Sequence, residues 1–338
     1  MPSKIVIANW VHDDVITYLE NFADVVANSS LEPFDQKTLR MHCKDADALM
    51  AFMPERIDAE FLADCPTLKM IACALKGYDN FDVDACTHHG AWITIVPDLL
   101  TAPTAELAVG HMIALSRNFG PGQTHIREKK FAGWRPRFYG TSLDGSTVGL
   151  IGLGAVGKAI ARRLSGFKCQ IVYADKQRLT PDQEDELRLT NTSIADLRAK
   201  SDFVVLALPL TDATTHLVDA AFLSSMKPGA FLINPARGSL VDEAAVADAL
   251  DAGQIAGYAA DTFEMEDWAR PDRPHEICAR LVTSEKTLLT PHLGSAVDGI
   301  RYDIAMEAAE SIVEFLSGKT PRGAINTPDQ QQKQAQHA

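Results

Sequence analysis

The sequence predicts an α/β fold of two domains, one of them a doubly wound, mostly parallel sheet, and three observations predict it. Apolar runs of strand length alternate with helical patterns along most of the chain. The stretch from Thr147 to Asp175 reads as strand, glycine-rich turn, helix and second strand, which is a βαβ unit. A chain of 338 residues is long enough for about two cores.

In the βαβ unit a buried strand (Val148 to Ile151) leads into Gly152-Leu153-Gly154-Ala155-Val156-Gly157, then a helix (Lys158 to Leu164) and a strand (Gln170 to Ala174) closed by Asp175. The first glycine permits the tight turn, the second lets backbone approach a pyrophosphate, and the third lets helix and strand pack closely. The phosphates then sit on the helix N-terminus, where N–H groups and the helix dipole favour negative charge. Asp175 stands where a carboxylate accepts hydrogen bonds from ribose hydroxyls. Gly152, Gly154, Ala155, Val156, Gly157 and Asp175 are thus candidate dinucleotide contacts. Asp175 favours NAD because it repels a 2′-phosphate, while Lys176 and Arg178 soften that preference, so NAD with some NADP tolerance is expected.

Upstream, strands are expected at Lys4 to Ala8, near Val25-Val26, at Ala48 to Met53, Met70 to Leu75 and Trp92 to Pro97, with helices at Asp13 to Phe22 and Asp58 to Asp64. Thr101-Ala102-Pro103 opens a long helix to about Arg117, with a hydroxyl cap and a proline in its first turn. Residues 120–146 carry Phe131, Trp134, Phe138 and Tyr139 and read as an ordered loop whose aromatics need burial. Further strands are expected at Phe203 to Leu208, Ala230 to Asn234, Gly257 to Asp261 and Thr287 to Thr290. Helices fall between them at Ala220 to Met226 and Glu243 to Ala252. A last helix, Ala296 to Leu316, returns to the first domain. The expected division is 1–99 with 293–326 as a discontinuous substrate domain, 100–292 as the dinucleotide domain, and a disordered Gln-rich tail at 327–338.

Composition narrows the function classes. A net charge of −13 without a basic block argues against nucleic acid. Six scattered cysteines without a CxxC pair suit reduced thiols and no metal site, and no apolar run reaches membrane-spanning length, so a cytoplasmic address is expected.

Three polar groups fall just beyond apolar strands of the second domain: Arg237, Glu266 and His292. Ligands of doubly wound sheets bind at the carboxyl ends of strands. Arginine offers a planar fork for an oxyanion, histidine exchanges a proton near neutral pH, and a carboxylate beside it orients the ring. Separately each reads as a structural residue; together they read as a site.

The glycine fingerprint, Asn234-Pro-Ala-Arg-Gly-Ser-Leu-Val-Asp-Glu, Asp261-Thr-Phe-Glu-Met-Glu and Thr290-Pro-His-Leu-Gly together resemble the D-2-hydroxyacid dehydrogenase superfamily over nearly all of residues 1 to 326. The resemblance implies two Rossmann-like domains, a doubly wound NAD-binding domain and a smaller flavodoxin-like substrate domain, in a homodimer. It implies Arg237, Glu266 and His292 as the catalytic triad, Asp261 near the nicotinamide, Lys176, Pro209, Ala236 and His292 as further cofactor contacts, and Glu264 as structural. Ala51-Phe-Met-Pro, Ala74-Leu-Lys-Gly-Tyr-Asp-Asn-Phe-Asp-Val-Asp, Gly133-Trp-Arg-Pro and Phe263-Glu-Met-Glu-Asp-Trp-Ala-Arg are similar, more narrowly, to phosphite (phosphonate) dehydrogenases. That likeness implies phosphite as substrate, held by Lys76, Gly77 and Arg237, with Met53, Asp79, Trp134, Tyr139 and Ser295 shaping the site. His292 would then assist attack of water while hydride passes from P–H to NAD. Phosphite carries up to two charges, so a second cation, Lys76, suits it. The competing expectations are a D-2-hydroxyacid dehydrogenase or 2-ketoacid reductase, and an NAD-sensing transcriptional corepressor that acts mainly as a binding protein.

Overall fold

The computed structural model describes residues 2–328; most of the tail expected to be disordered, from residue 329 on, lies outside the described residues. The chain forms two compact units, Met1–Leu100 with Trp268–Pro271 and the segment from Ala296, and Thr101–Asp267 with Asp272–Ser295.

In the first unit β1 (Lys4–Ile7), β2 (Asp24–Ala27), β3 (Ala48–Ala51), β4 (Met70–Cys73) and β5 (Trp92–Thr94) form a parallel sheet in the order β2-β1-β3-β4-β5. This is the flavodoxin-like order. β3 and β4 are buried along their whole length, as strands covered on both faces must be. The connecting helices are α1 (Asp13–Glu20), α2 (Gln36–Cys43), α3 (Ala59–Asp64) and α4 (Val83–His89). Aspartates set three of their starts: Asp35 accepts from Thr38 N–H, Asp58 from Phe61 N–H and Asp82 from Ala85 N–H.

At the carboxyl ends of β1 and β3 a buried carboxylate ties two loops together. Glu55 accepts from Phe52 N–H at 2.5 Å and from the Asn9 side-chain amide at 2.7 Å. Burial pushes its carboxyl up to about 7, against the hydrogen bonds that pull it down. The folded chain therefore binds more protons than the unfolded one between the ordinary carboxylate range and pH 7. Stability contributed by the protonated form is full below the unfolded value and is lost as pH rises through about 7, by up to about 3 kcal/mol. Denaturant titrations at pH 5 and pH 8 are expected to show this decline, and Glu55→Gln is expected to flatten it.

The second unit opens with α5 (Thr101–Ser116) and α6 (Phe119–Arg127). Its strands are β6 (Thr147–Ile151), β7 (Gln170–Ala174), β8 (Leu189–Asn191), β9 (Phe203–Leu206), β10 (Ala230–Asn234), β11 (Ile255–Ala260) and β12 (Thr287–Leu289). They form one parallel sheet in the order β12-β11-β10-β9-β6-β7-β8. Reading outward from β6, the chain fills β7 and β8 on one side and then β9 to β12 on the other. The direction reverses between β6 and β9, which is the topological switch point where ligands bind. The helices are α7 (Ala155–Leu164), α8 (Pro181–Leu187), α9 (Ile194–Lys200), α10 (Ala220–Ser224), α11 (Glu243–Asp251) and α12 (Ala279–Thr283). The last helix, α13 (Asp298–Leu316), packs on β4 and α1 of the first unit through Ile304, Ala305, Ala308 and Ile312. No described helix is long and apolar enough to cross a membrane.

The segment after α5 departs from expectation. It begins with a helix, and its aromatics are not buried: Trp134 is 75% and Tyr139 74% exposed. Phe138 meets the His125 ring of α6, but the large side chains of the segment stay exposed rather than joining a core.

Candidate active site

The glycine turn lies at the switch point. Gly152 has φ +90°, and a Cβ there would stand 2.4 Å from the Ala207 carbonyl oxygen, just beyond β9. A Cβ on Gly157 would stand 2.5 Å from Gly152 O, so this position sets how closely α7 approaches the turn. At Gly154, by contrast, a Cβ would meet nothing within 4 Å, and the residue faces open space as the N-cap of α7 without any side-chain cap. The turn is thus closed where it meets the sheet and open where a pyrophosphate would rest on the N–H groups of Ala155, Val156 and Gly157.

Asp175 ends β7 beside this turn. One carboxylate oxygen accepts Leu153 N–H at 2.6 Å and the other accepts Gln177 N–H at 2.8 Å. A carboxylate has about four acceptor sites, so two remain for ribose hydroxyls. The donor set, the open turn and the uncapped helix fit an adenine dinucleotide. Lys176 and Pro209 are exposed and Ala236 is half-buried, on loops that follow β7, β9 and β10.

The catalytic candidates sit on loops that leave the carboxyl ends of β10, β11 and β12. His292 Nδ1 lies 2.7 Å from Glu266 Oε2, and both side chains are roughly 30% exposed. Because a carboxylate accepts, Nδ1 carries the proton, and Nε2 is the nitrogen left to exchange one with a substrate. Glu266 is itself held, since its other oxygen accepts Phe263 N–H at 2.8 Å. Arg237 follows β10, its Nη1 donating to Ala236 O at 2.8 Å. The next residue brings its loop against that of Glu266: a Cβ on Gly238 would fall 1.8 Å from the Phe263 carbonyl carbon.

Asp261, 1% exposed, does more than its sequence position suggested. Its carboxylate accepts Thr290 O–H at 2.5 Å, Leu293 N–H at 2.7 Å and Gly294 N–H at 2.7 Å, while its backbone oxygen accepts His292 N–H at 2.9 Å. It therefore staples the loop in which His292 adopts a left-handed φ of +56°. Behind it, buried His111 on α5 places Nε2 3.0 Å from Thr290 Oγ1. Burial holds His111 below its ordinary value, partly offset by Asp261. As a neutral ring its Nε2–H donates to Thr290, which directs the threonine proton toward Asp261. Neither Gly238 nor His111 stood out in the sequence. The glycine in Ala-Arg-Gly-Ser was a signal for close approach, whereas the lone histidine in an apolar helix gave none.

Glu264 is tied into its loop by side-chain bonds. Its carboxylate bonds His216 Nε2 at 2.8 Å, and it exchanges side-chain-to-backbone bonds with Glu243, fixing the turn that presents Glu266. The remaining substrate candidates are divided between the two units. Lys76, Gly77, Met53 and Asp79 belong to the first unit, on loops after β3 and β4, and Asn80 donates to Met53 O at 3.1 Å. Ser295 is buried at the end of the second unit. Within its own chain Tyr139 lines, with Phe138, Phe231, Ala256 and Thr287, a cavity of about 310 Å³ at the amino ends of β10 to β12. That is the sheet edge opposite Arg237, Glu266 and His292.

Comparison with known proteins follows the same lines. Residues 109–294 match the NAD-binding domain of D-isomer specific 2-hydroxyacid dehydrogenases. A glyoxylate reductase from Pyrococcus horikoshii is 36% identical over 331 residues, 96% of each chain. Among solved structures, a protein from Thermus thermophilus superposes with a TM-score of 0.87 at 30% identity, over 96% of this chain and 100% of the other. An NADPH-dependent glyoxylate/hydroxypyruvate reductase from Sinorhizobium meliloti superposes with a TM-score of 0.82 at 26% identity, over 97% and 98%.

These relatives correct the expectation of phosphite as substrate: glyoxylate reductases match along the whole chain, so the similarity supports 2-hydroxyacid chemistry instead. The physical argument for phosphite was not selective. A lysine in addition to an arginine suits any small oxyanion, carboxylate included. The segments quoted for it are short. The parallel sheet with its glycine turn at the switch point, the His292–Glu266 pair and the whole-chain similarity agree: the chain belongs to the D-isomer specific 2-hydroxyacid dehydrogenase family and is an NAD-dependent oxidoreductase.

Proposed function

We propose that the protein is an NAD(H)-dependent reductase of small 2-ketoacids of the glyoxylate class, acting in reverse as a D-2-hydroxyacid dehydrogenase. The observation that carries this reading is the 2.7 Å pair between His292 and Glu266 on the sheet edge that also bears the glycine turn and Arg237. NADH, when bound, supplies the hydride. The Arg237 fork takes the substrate carboxylate and fixes which carbon faces the cofactor. As the carbonyl π electrons move onto oxygen, His292 Nε2 gives its proton to the developing alkoxide. Glu266 holds the ring in place and compensates its charge while it is protonated. In the reverse direction Nε2 takes the hydroxyl proton back. Asp261 keeps His292 at the required position through the loop it staples.

The comparison with glyoxylate reductases supports the substrate class. The homodimer implied by the resemblance would give the exposed Phe131, Trp134 and Tyr139 an apolar partner surface. Absorbance at the NADH band decides the chemistry. Loss of NADH with glyoxylate or hydroxypyruvate, and its formation with D- but not L-2-hydroxy acids, is the expected result. NADH formation from NAD with phosphite, alongside no turnover of any ketoacid, would overturn it. Tight cofactor binding with no turnover at all would indicate a binding protein.

A further inference from the structure

The loop after β7 contains a second arrangement bearing on the cofactor. Arg178, three residues past Asp175, is exposed but turned back onto its own segment. Its Nε and Nη2 donate to the two oxygens of Glu184, each at 3.0 Å. Glu184 is well anchored: Tyr173 O–H donates to it at 2.6 Å, and its side chain is 12% exposed against 65% for Arg178. Helix α8, which carries it, starts with a reciprocal cap between Thr180 and Gln183 and a proline in its first turn. Tyr173 in turn accepts Leu179 N–H at 2.9 Å, which ties the loop to the strand. The arginine and tyrosine bonds hold the Glu184 carboxyl down at about 2, so it is ionised throughout the useful pH range.

An arginine just beyond the second strand of a dinucleotide fold is the group that accommodates a 2′-phosphate. Three residues of chain span at most about 10 Å, so Arg178 starts within side-chain reach of the ribose that Asp175 would hold. We propose that Glu184 is a determinant of cofactor specificity: by gripping the Arg178 fork it withdraws from the 2′ position the cation that would welcome NADP. The bidentate pair uses the edge of the guanidinium that would otherwise grip phosphate oxygens. Asp175 alone disfavours NADP, and Glu184 deepens that preference by keeping Arg178 occupied. The inference rests on NAD(H) use by this chain and on no assumption about the substrate.

The test is calorimetric binding of NAD, NADP and adenosine 2′,5′-bisphosphate to the full-length protein, without turnover. Glu184→Gln keeps an acceptor for Tyr173 and removes the charge. It is expected to tighten NADP and the bisphosphate about tenfold while leaving NAD within about twofold. Adding Arg178→Ala is expected to abolish that gain. Arg178→Ala by itself, at an exposed position, is expected to leave both dinucleotides unchanged. The proposal is overturned if Glu184→Gln binds NADP no tighter, if it weakens NAD as well, if the gain survives loss of Arg178, or if Arg178→Ala alone weakens NADP.

Discussion

Replacing His292 with glutamine is expected to lower kcat for glyoxylate reduction by about 10³-fold while leaving the dissociation constant of NADH within about twofold. Positioned proton donors contribute on the order of 10² to 10⁴ in rate, and the 2.7 Å bond to Glu266 places this ring at the favourable end. Glutamine can keep a polar contact with Glu266 but cannot deliver a proton to an alkoxide. Cofactor binding is expected to survive because the glycine turn and Asp175 are anchored by other parts of the sheet, through Ala207 and Leu153. Stopped-flow rates under single-turnover conditions and fluorescence titration of NADH measure the two quantities separately. Near-full turnover in the variant would remove His292 from the chemistry. A parallel loss of cofactor binding would instead give it a structural role.

The parts of this site that were legible in the sequence are those that depend on local pattern. Five-residue apolar strands such as Thr147–Ile151 and Ala230–Asn234 are buried on both faces, so their composition announces them. The glycine spacing at 152–157 is legible because each glycine answers a separate steric demand. Glu266 and His292 could be paired on paper because both follow strands of one sheet. What was not legible depends on tertiary approach. The Asp261 carboxylate takes up three donors of the Thr290–Gly294 segment, a register no spacing encodes. Arg178 and Lys176 read alike as cations that soften cofactor choice, yet Glu184 grips Arg178 through a helix the pattern did not resolve. The aromatics at 131–139 were expected inside because large apolar side chains are ordinarily buried, yet Trp134 and Tyr139 are about three-quarters exposed. Substrate identity was the least legible, because oxyanions share their recognition chemistry and charge counting cannot separate them.

Replacing Gly238 with alanine is expected to destabilise the protein by at least about 3 kcal/mol, more than any other single methyl group added near the site. The new Cβ would lie 1.8 Å from Phe263 C and 2.2 Å from Glu264 N, both backbone atoms with no rotamer through which to retreat. Overpacking a core ordinarily costs about 1–3 kcal/mol when side chains can adjust, and here they cannot. The clash must be relieved by moving one loop away from the other. One loop carries Arg237, and the other carries Glu266 and through it the orientation of His292. Glu264 resists the movement, since its N–H and carboxylate are both bonded to Glu243. Chemical denaturation is expected to show the lost stability. In the folded fraction at low temperature, kcat/KM for glyoxylate is expected to fall by about tenfold or more, with NADH affinity less changed because the glycine turn follows β6 and is held by its own contacts to β7 and β9. Full stability in the variant would mean that the two loops do not meet as closely as described, and Gly238 would then have no part in setting the distance between Arg237 and the histidine–glutamate pair.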